Sequence, residues 1–160
     1  MGKHSAGVLM YRFKDRGLEV FLVHPGGPFW TKKDEHAWSI PKDELSAGET
    51  PLEAARREFE EETSMAVDGD FSDLGTLKQP SGKQVRAWAV EGDCDPADVK
   101  SNQFSMEWPP HSGKTQSFPE IDKAAWFDYE TARDKLHKGQ AAFLDRLLEK
   151  VGNGEMGKDR

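Results

Sequence analysis

The sequence predicts an α+β fold in which helices pack against a mixed β-sheet. Three observations lead to this prediction: two adjacent β-rich runs near the start, a long helix with a clear start signal, and further strand-like runs before a closing amphipathic helix. A chain of 160 residues is long enough for one domain with a hydrophobic core. We therefore expect a single domain over residues 1–150 and a flexible tail over residues 151–160.

The first quarter of the chain predicts a hairpin followed by a loop. The runs "SAGVLMYRF" at 5–13 and "LEVFLVHP" at 18–25 are rich in strand-forming residues, and "KDRG" between them is a turn sequence. Residues 26–37 combine glycines, a proline and charged residues, which is typical of a loop. The next four residues, "WSIP" at 38–41, predict a short strand that ends at the proline.

The clearest helix start lies at residues 50–53, "TPLE". This segment has the form of a capping box, with proline at the first helical position. Leu52, Ala55 and Phe59 then recur at helical spacing, so the helix is expected to run to about Thr63. Directly after it, "MAV" at 65–67 predicts a further strand segment.

The second half of the chain predicts more strands and two further helices. "DLGTLKQ" at 73–79 and "QVRAWAVEG" at 84–92 are strand-like, and "PSGK" between them is a turn. Residues 92–119 contain four prolines and little periodicity, so we predict a mostly irregular insertion that can cover a site. "AAWFDYE" at 124–130 predicts a strand running into a helix, and "GQAAFLDRLLEKV" at 139–151 predicts the closing helix.

Composition excludes several classes of function. The net charge of −7 argues against an extended nucleic-acid partner bound through a basic surface. No apolar run approaches the ~20 residues that a membrane-spanning helix needs, and the N-terminal residues do not form a secretory signal. Cys94 is the one cysteine, which fits a reducing compartment. We therefore expect a cytoplasmic protein whose oligomeric state the sequence leaves open.

The densest negative charge lies in "ARREFEEETS" at 55–64, near the C-terminal end of the predicted helix. Glu58, Glu61 and Glu62 are spaced i, i+3 and i+4, so they share one helix face, while Glu60 points away. Carboxylates at this end also oppose the helix dipole, by ~0.3–1 kcal/mol each. A hard divalent cation such as Mg²⁺ or Mn²⁺ would relieve the repulsion, because clustered carboxylates are the ligands it prefers.

A plainer interpretation of the same run is a solvated helix face with ion pairs. Glu53 and Arg57, Arg56 and Glu60, and Arg57 and Glu61 are i, i+4 pairs, each worth roughly 0.2–0.5 kcal/mol. This alternative predicts that a divalent cation would not raise the melting temperature. The charge pattern alone leaves both interpretations open.

The acidic run belongs to a longer pattern over residues 43–65 that resembles the Nudix box, written G-x5-E-x7-R-E-U-x-E-E-x-G-U with U apolar. The positions that match by charge are Glu49, Arg57, Glu58, Glu61 and Glu62. Phe59 and Met65 occupy two apolar positions of the box. The preceding "WSIPK" is also similar to a segment common in Nudix hydrolases. The chain therefore resembles a Nudix hydrolase of the MutT-like or Ap4A-hydrolase-like branch.

The resemblance implies a Nudix fold, an α/β/α sandwich around a mixed sheet. It also implies that Mg²⁺ or Mn²⁺ supports hydrolysis of a nucleoside diphosphate linked to another group, such as an NTP or a dinucleoside polyphosphate. Glu58, Glu61 and Glu62 would be metal ligands by this resemblance. Arg57 would orient the glutamates by ion pairing, and Glu49 would support the junction of loop and helix. One of the glutamates, or a residue outside the box, would be the general base.

Two positions depart from the box. Asp43 and Ser64 stand where the family has its two glycines. Asp43 keeps a backbone carbonyl for the metal and can add a carboxylate near it. Ser64 follows the helix, where glycine commonly adopts a left-handed backbone, so a serine there is expected to cost about 1 kcal/mol. These departures motivate an alternative function, a catalytically weak or inactive Nudix-fold domain that binds nucleotides or regulates.

The sequence also offers candidates for substrate binding. Lys42 in "IPKDE" is positioned to contact phosphate, and the loop residues Trp30 and Trp108 can stack on a nucleotide base. His36 lies two residues before Trp38, as a histidine does in the similar segment of Ap4A-hydrolase-like enzymes. We predict a small-molecule nucleotide substrate contacted by these four residues.

Overall fold

The computed structural model describes residues 4–14 and 17–151. In this part of the chain, strands and helices alternate in the order that an α+β fold requires. The elements are β1 (His4–Lys14), β2 (Gly17–Pro25), β3 (Lys42–Glu44), α1 (Pro51–Thr63), β4 (Ser72–Lys78), β5 (Gln84–Glu91), β6 (Gln103–Glu107), β7 (Thr115–Pro119), β8 (Ile121–Asp128), α2 (Tyr129–Lys135) and α3 (Ala141–Val151).

The main sheet is mixed. Its strand order is β4-β5-β1-β2-β8, and β3 pairs with β1 at one end. The contact between β1 and β5 is parallel, whereas β1 pairs antiparallel with both β2 and β3. The predicted hairpin therefore forms the centre of the sheet, and β1 carries β3 toward the start of α1.

Helices cover both faces of the sheet because successive residues of each strand point to opposite sides. On one face, Ala55 and Phe59 of α1 pack with Val8 of β1 in one buried cluster. On the other face, Phe143 and Leu147 of α3 belong to a second cluster with the intervening strand residues. The result is the three-layer α/β/α arrangement that the sequence predicts.

Most predicted elements are confirmed, including the hairpin, α1, the strands β4, β5 and β8, and the closing helix. The expected tail beyond α3 lies outside the described residues. In the part of the chain that the structure describes, no helix is both long and apolar enough to cross a bilayer.

Two short strand predictions are wrong. "WSIP" forms isolated bridges only, Trp38 with Leu136 and Ser39 with Val23, and the strand β3 begins after the proline. These residues connect two parts of the fold instead of extending one edge of the sheet. "MAV" at 65–67 is not a strand, because its apolar pattern reflects the burial of Val67 against the α1 side of the sheet.

The predicted irregular insertion is more ordered than expected. Within residues 92–119, β6 and β7 form a two-stranded antiparallel hairpin. Phe104 and Phe118 are partners in this ladder, with ring centroids 6.0 Å apart. The sequence pattern misses the hairpin because the strands are largely exposed and polar, so little hydrophobic alternation marks them.

Candidate active site

The position of α1 is fixed at both ends by local interactions. At the start, Thr50 Oγ1 accepts from the Glu53 amide at 3.2 Å while the Glu53 carboxylate accepts from the Thr50 amide at 3.0 Å, so the capping box is complete. At the end, Ser64 adopts the left-handed conformation with φ 63° and ψ 22°. The helix therefore has a defined rotation, and Glu58 and Glu62 turn toward β3.

Arg57 gathers three glutamates. Its Nε and Nη2 donate to the two carboxylate oxygens of Glu49 at 2.5 and 2.8 Å, which is a bidentate pair. Its Nη1 donates to Glu58 at 2.6 Å and to Glu61 at 2.8 Å. Hydrogen bonds from Arg57 are the main reason that the pKa of Glu49 falls to about 2. The loop before α1 is thereby tied to the acidic face of the helix.

Asp43, Glu58 and Glu62 form a compact acidic group, with one carboxylate oxygen from each lying within 4.8 Å of the others. Glu58 is buried and Asp43 is exposed. Burial raises the pKa of Glu62 to about 9, and the neighbouring Glu58 and Asp43 add to the increase. Burial also raises the pKa of Glu58, against the opposing effect of its bond from Arg57. Three close oxygen donors with repelling charges suit a hard divalent cation such as Mg²⁺ or Mn²⁺.

Glu61 is not in this group among the described residues. Its carboxylate is about half exposed and accepts from Arg57. The structure thus brings together three of the four predicted metal ligands, Asp43, Glu58 and Glu62, and leaves Glu61 outside the group. The ion-pair interpretation of the helix holds only in part: Arg57 pairs with Glu61, whereas Arg56 lies 3.6 Å from Asp68.

The two positions that depart from the box have different structural consequences. Ser64 keeps the left-handed backbone that the family glycine would adopt, and its hydroxyl donates to the Lys100 carbonyl at 2.5 Å. This bond offsets part of the backbone strain. Asp43 lies in the extended strand β3, outside the left-handed region, so no glycine is needed there.

A cleft of about 350 Å³ opens beside the acidic group. Glu62 from α1 and Lys42 from β3 line it, and three further residues with titratable side chains line it from distant segments. Those residues are Lys83, Glu120 and His137. Burial lowers the pKa of Lys42, and the charge of Lys83 lowers it further. Burial lowers the pKa of His137 as well, with Lys42 as the next cause. The cleft thus combines cationic and acidic side chains.

The predicted substrate residues are placed unequally. Lys42 and Trp30 line the cleft, and the Trp30 side chain is 37% exposed there. Trp108 lies outside the lining and packs edge-on against Phe29, with ring centroids 5.3 Å apart. His36 is also outside the lining, and its Nδ1 donates to the Leu136 carbonyl at 3.1 Å. The structure therefore favours Lys42 and Trp30 over the other two.

Sequence reasoning missed Lys83, Glu120 and His137. Glu120 follows the β6–β7 hairpin, and burial raises its pKa, with Asp43 and Glu61 as further causes. Its backbone carbonyl accepts from the Gly26 amide at 2.9 Å, which fixes the segment against the loop after β2. The one signal available was the placement of Lys83 in a predicted turn and of Glu120 directly after the predicted irregular insertion. That signal does not tell which of many charged loop residues reach the site.

Comparison with known proteins gives one family. The family model described as "NUDIX domain" matches residues 2–147 of this chain. A curated relative, an octanoyltransferase of Myxococcus xanthus, is 31% identical over 102 residues, which is 62% of this chain. That match spans about a quarter (25%) of the relative's own length.

Solved structures with the same fold include three of similar size. An Ap4A hydrolase binary complex from C. elegans superposes with a TM-score of 0.66 at 19% identity, covering 93% of this chain and 98% of that one. The NUDIX domain of Shewanella oneidensis NrtR complexed with ADP ribose gives 0.63 at 12% identity, covering 94% and 89%. A MutT protein from Methanosarcina mazei gives 0.60 at 20% identity, covering 96% of both chains. These likenesses concern the fold.

Proposed function

This chain belongs to the Nudix family of pyrophosphohydrolases, and we propose that it hydrolyses a phosphoanhydride bond in a nucleoside diphosphate linked to another group, with Mg²⁺ or Mn²⁺ as cofactor. The substrate is a small nucleotide such as an NTP or a dinucleoside polyphosphate. The observation that carries the proposal is the compact acidic group of Asp43, Glu58 and Glu62 beside a cleft that also holds lysines. The presence of an Ap4A hydrolase and an ADP-ribose complex among proteins of this fold supports a nucleotide ligand.

The acidic group fits the cofactor. Carboxylate oxygens are the donors that Mg²⁺ and Mn²⁺ select. Burial and the charges of Glu58 and Asp43 raise the pKa of Glu62 more than Lys42 lowers it, so a cation would stabilise its ionised form. Asp43, Glu58 and Glu62 would hold a divalent cation, which would supply positive charge against phosphate oxygens and lower the pKa of a bound water. The hydrogen bond from Arg57 orients Glu58 and opposes the effect of burial, which raises the pKa of Glu58, and Glu49 holds Arg57 in place.

In this proposal, Lys42 and Lys83 in the cleft bind the phosphate groups that the metal does not contact. Burial and the charge of Lys83 lower the pKa of Lys42, so an anion bound between the two lysines would relieve their repulsion. Trp30 provides an aromatic surface at the cleft, and base stacking on such a surface is worth ~1–3 kcal/mol. An acidic protein can thus hold an anionic substrate through a local patch of cations.

Glu120 is our candidate for the general base. It lines the cleft, its pKa is raised by burial, and it stands near Asp43 and Glu61, which are further causes of the increase. A carboxylate whose pKa lies above its usual range is a better proton acceptor near neutral pH than an ordinary one. Glu120 would take the proton of the attacking water.

A nucleotide panel tests the function. Purified protein is incubated with NTPs, dinucleoside polyphosphates and ADP-ribose, with Mg²⁺, with Mn²⁺ and with EDTA, and products are separated by anion-exchange chromatography. We expect one class to release a nucleoside monophosphate with either metal and nothing with EDTA. Glu62→Gln should lower kcat by about 100-fold or more, because loss of an outer-shell partner of a metal ligand already costs roughly 10- to 100-fold, whereas Glu60→Gln on the exposed face should not change it.

The second candidate is a Nudix-fold domain that binds nucleotides without turning them over. Asp43 is the observation that favours it, because the residue departs from the family glycine inside the acidic group itself. Calorimetric binding of a nucleotide, combined with no product after long incubation with either metal, would support this alternative.

We also propose the cytoplasm as the compartment, since the free Cys94 suits reducing conditions.

A further inference from the structure

His24 on β2 is fully buried, and both of its ring nitrogens meet hydrogen-bond acceptors. Nδ1 lies 2.7 Å from a carboxylate oxygen of Asp122 on β8. Nε2 lies 2.5 Å from the backbone carbonyl oxygen of Lys33 in the loop after β2. A neutral imidazole donates from one nitrogen only, whereas an imidazolium donates from both. A backbone carbonyl cannot donate, and an ionised Asp122 cannot donate either, so with Asp122 ionised the two contacts together require two ring protons.

We propose that His24 is a positioning residue for the hydrolysis, acting as a doubly protonated imidazolium that holds the loop bearing Trp30 against β8. The charge is balanced by Asp122, which is about one-fifth exposed. A buried ion pair is stable only when its remaining donors are also satisfied. The second ring N–H meets this condition by donating to the carbonyl of Lys33.

The contact reaches the cleft through the backbone of the loop. The Lys33 amide donates to the Trp30 carbonyl at 2.9 Å and so closes a turn that begins at Trp30. Lys33 is also the residue whose carbonyl meets the His24 ring. The Lys33 ammonium lies 5.0 Å from the centroid of the Trp30 ring. Losing the bond from His24 would therefore free the turn that presents the aromatic ring to the substrate.

The same histidine connects this turn to the strand that follows the candidate base. Asp122 lies two residues after Glu120, and the Gly26 amide at the start of the loop donates to the Glu120 carbonyl. The loop is thus attached to one short segment at two points, by the backbone at Gly26 and by the imidazolium at Lys33. The loop that carries Trp30 and the segment that carries Glu120 are therefore fixed to each other, as positioning of a substrate in this site requires.

Other charges around His24 act in both directions. Lys123 is its partner in the ladder between β2 and β8 and disfavours a further positive charge. Asp34 follows Lys33 and feels the charge of Lys123, so it opposes that effect. The ring also packs against Trp38, with centroids 5.2 Å apart, which excludes water. Asp122 is the one acid that the ring meets at hydrogen-bond distance among the described residues.

The charge state is tested without any enzymatic assay. Protein labelled with ¹⁵N in histidine is examined by NMR at pH 7, and the His24 signals are assigned by their loss in His24→Gln. We expect both ring nitrogens in the protonated form in the parent protein, and one unprotonated nitrogen in Asp122→Asn. A parent signal with one unprotonated nitrogen would overturn the proposal, because the proton would then belong to Asp122.

The positioning role rests on the proposed function and is tested by kinetics. Asp122→Asn keeps the shape of the side chain and avoids emptying the core at His24. We expect Asp122→Asn to raise KM by about three- to tenfold and Trp30→Ala by about tenfold, with kcat within about twofold of the parent. The double variant should be no worse than Trp30→Ala, since both changes remove one interaction.

Asp145→Asn is the matched control. Asp145 lies on α3 and accepts hydrogen bonds from Tyr129 and Arg133, away from the cleft lining. Its KM should equal that of the parent. Multiplying KM effects in the double variant, or a fall in kcat at unchanged KM, would show that Asp122 does not act through the loop. If no nucleotide is hydrolysed at all, the proposed function fails while the NMR result still decides the charge of His24.

Discussion

Glu62 makes the stability of the metal-free protein depend on pH. Burial and the neighbouring Glu58 and Asp43 raise its pKa from 4.5 to about 9. Between these values the folded protein holds a proton that the unfolded chain has lost. The free energy of unfolding must therefore fall as pH rises from about 4.5 toward about 9, because the native state binds more protons over that window.

The magnitude follows from the size of the shift. For the one proton of Glu62, each pH unit above 4.5 lowers the free energy of unfolding by up to about 1.4 kcal/mol. At pH 7.5 the upper limit of this loss is therefore about 4 kcal/mol. Glu58 and Asp43 share the repulsion, so removing one charge relieves part of theirs. We expect Glu62→Gln to stabilise the metal-free protein by about 2 kcal/mol at pH 7.5 and to flatten the slope.

Urea denaturation in EDTA at several pH values between 5 and 8.5 measures this effect. Glu60→Gln is the control, because Glu60 is exposed on the same helix and its replacement should change stability by less than about 0.5 kcal/mol. With saturating Mg²⁺ the parent should become more stable than Glu62→Gln, because the parent gains more free energy of unfolding from metal binding than the variant does. A parent protein with pH-independent stability, or a Glu62→Gln variant less stable than the parent in EDTA, would refute the reasoning.

Three further predictions follow from the contacts of α1 and the cleft. Arg57→Lys should lower kcat/KM by about 10- to 100-fold, because lysine cannot reproduce the bidentate pair with Glu49, and steady-state kinetics would contradict this with a loss below threefold. Ser64→Ala should lower the free energy of unfolding by about 1 kcal/mol through loss of the bond to Lys100, whereas Ser64→Gly should be near neutral, as urea denaturation would measure. Lys83→Gln should raise KM by about tenfold with kcat unchanged, and an unchanged KM would remove this residue from the phosphate subsite.

The predictable part of the fold is the part specified by local sequence. The capping box at residues 50–53 predicts the start of α1, and the i, i+4 spacing of Glu58 and Glu62 places both on one helix face. The hairpin of β1 and β2 is equally local, because its turn and both strands lie within residues 4–25. Each of these features depends on interactions between residues close in the chain, so the sequence pattern contains them.

The other half of the site depends on contacts between distant residues. Glu120 reaches the cleft because β8, which follows it, pairs with β2. A pairing between distant strands produces no sequence pattern around Glu120 that would predict its position. Asp43 joins the acidic group because β3 pairs with β1, which brings the loop over α1. His24 is an ordinary strand residue by pattern, and its two partners lie 98 and 9 positions away. Such positions follow from the assembled sheet.

The central claim is that a divalent cation held by the acidic group supports phosphoanhydride hydrolysis. The most direct measurement is the initial rate of hydrolysis of the best nucleotide from the panel, titrated with Mg²⁺ for the parent protein and for Glu62→Gln. The account predicts a saturable increase from zero in EDTA for the parent, and for the variant a rate at least 100-fold lower that does not recover at high Mg²⁺. Turnover by the parent in EDTA, or equal Mg²⁺ activation of both proteins, would contradict it.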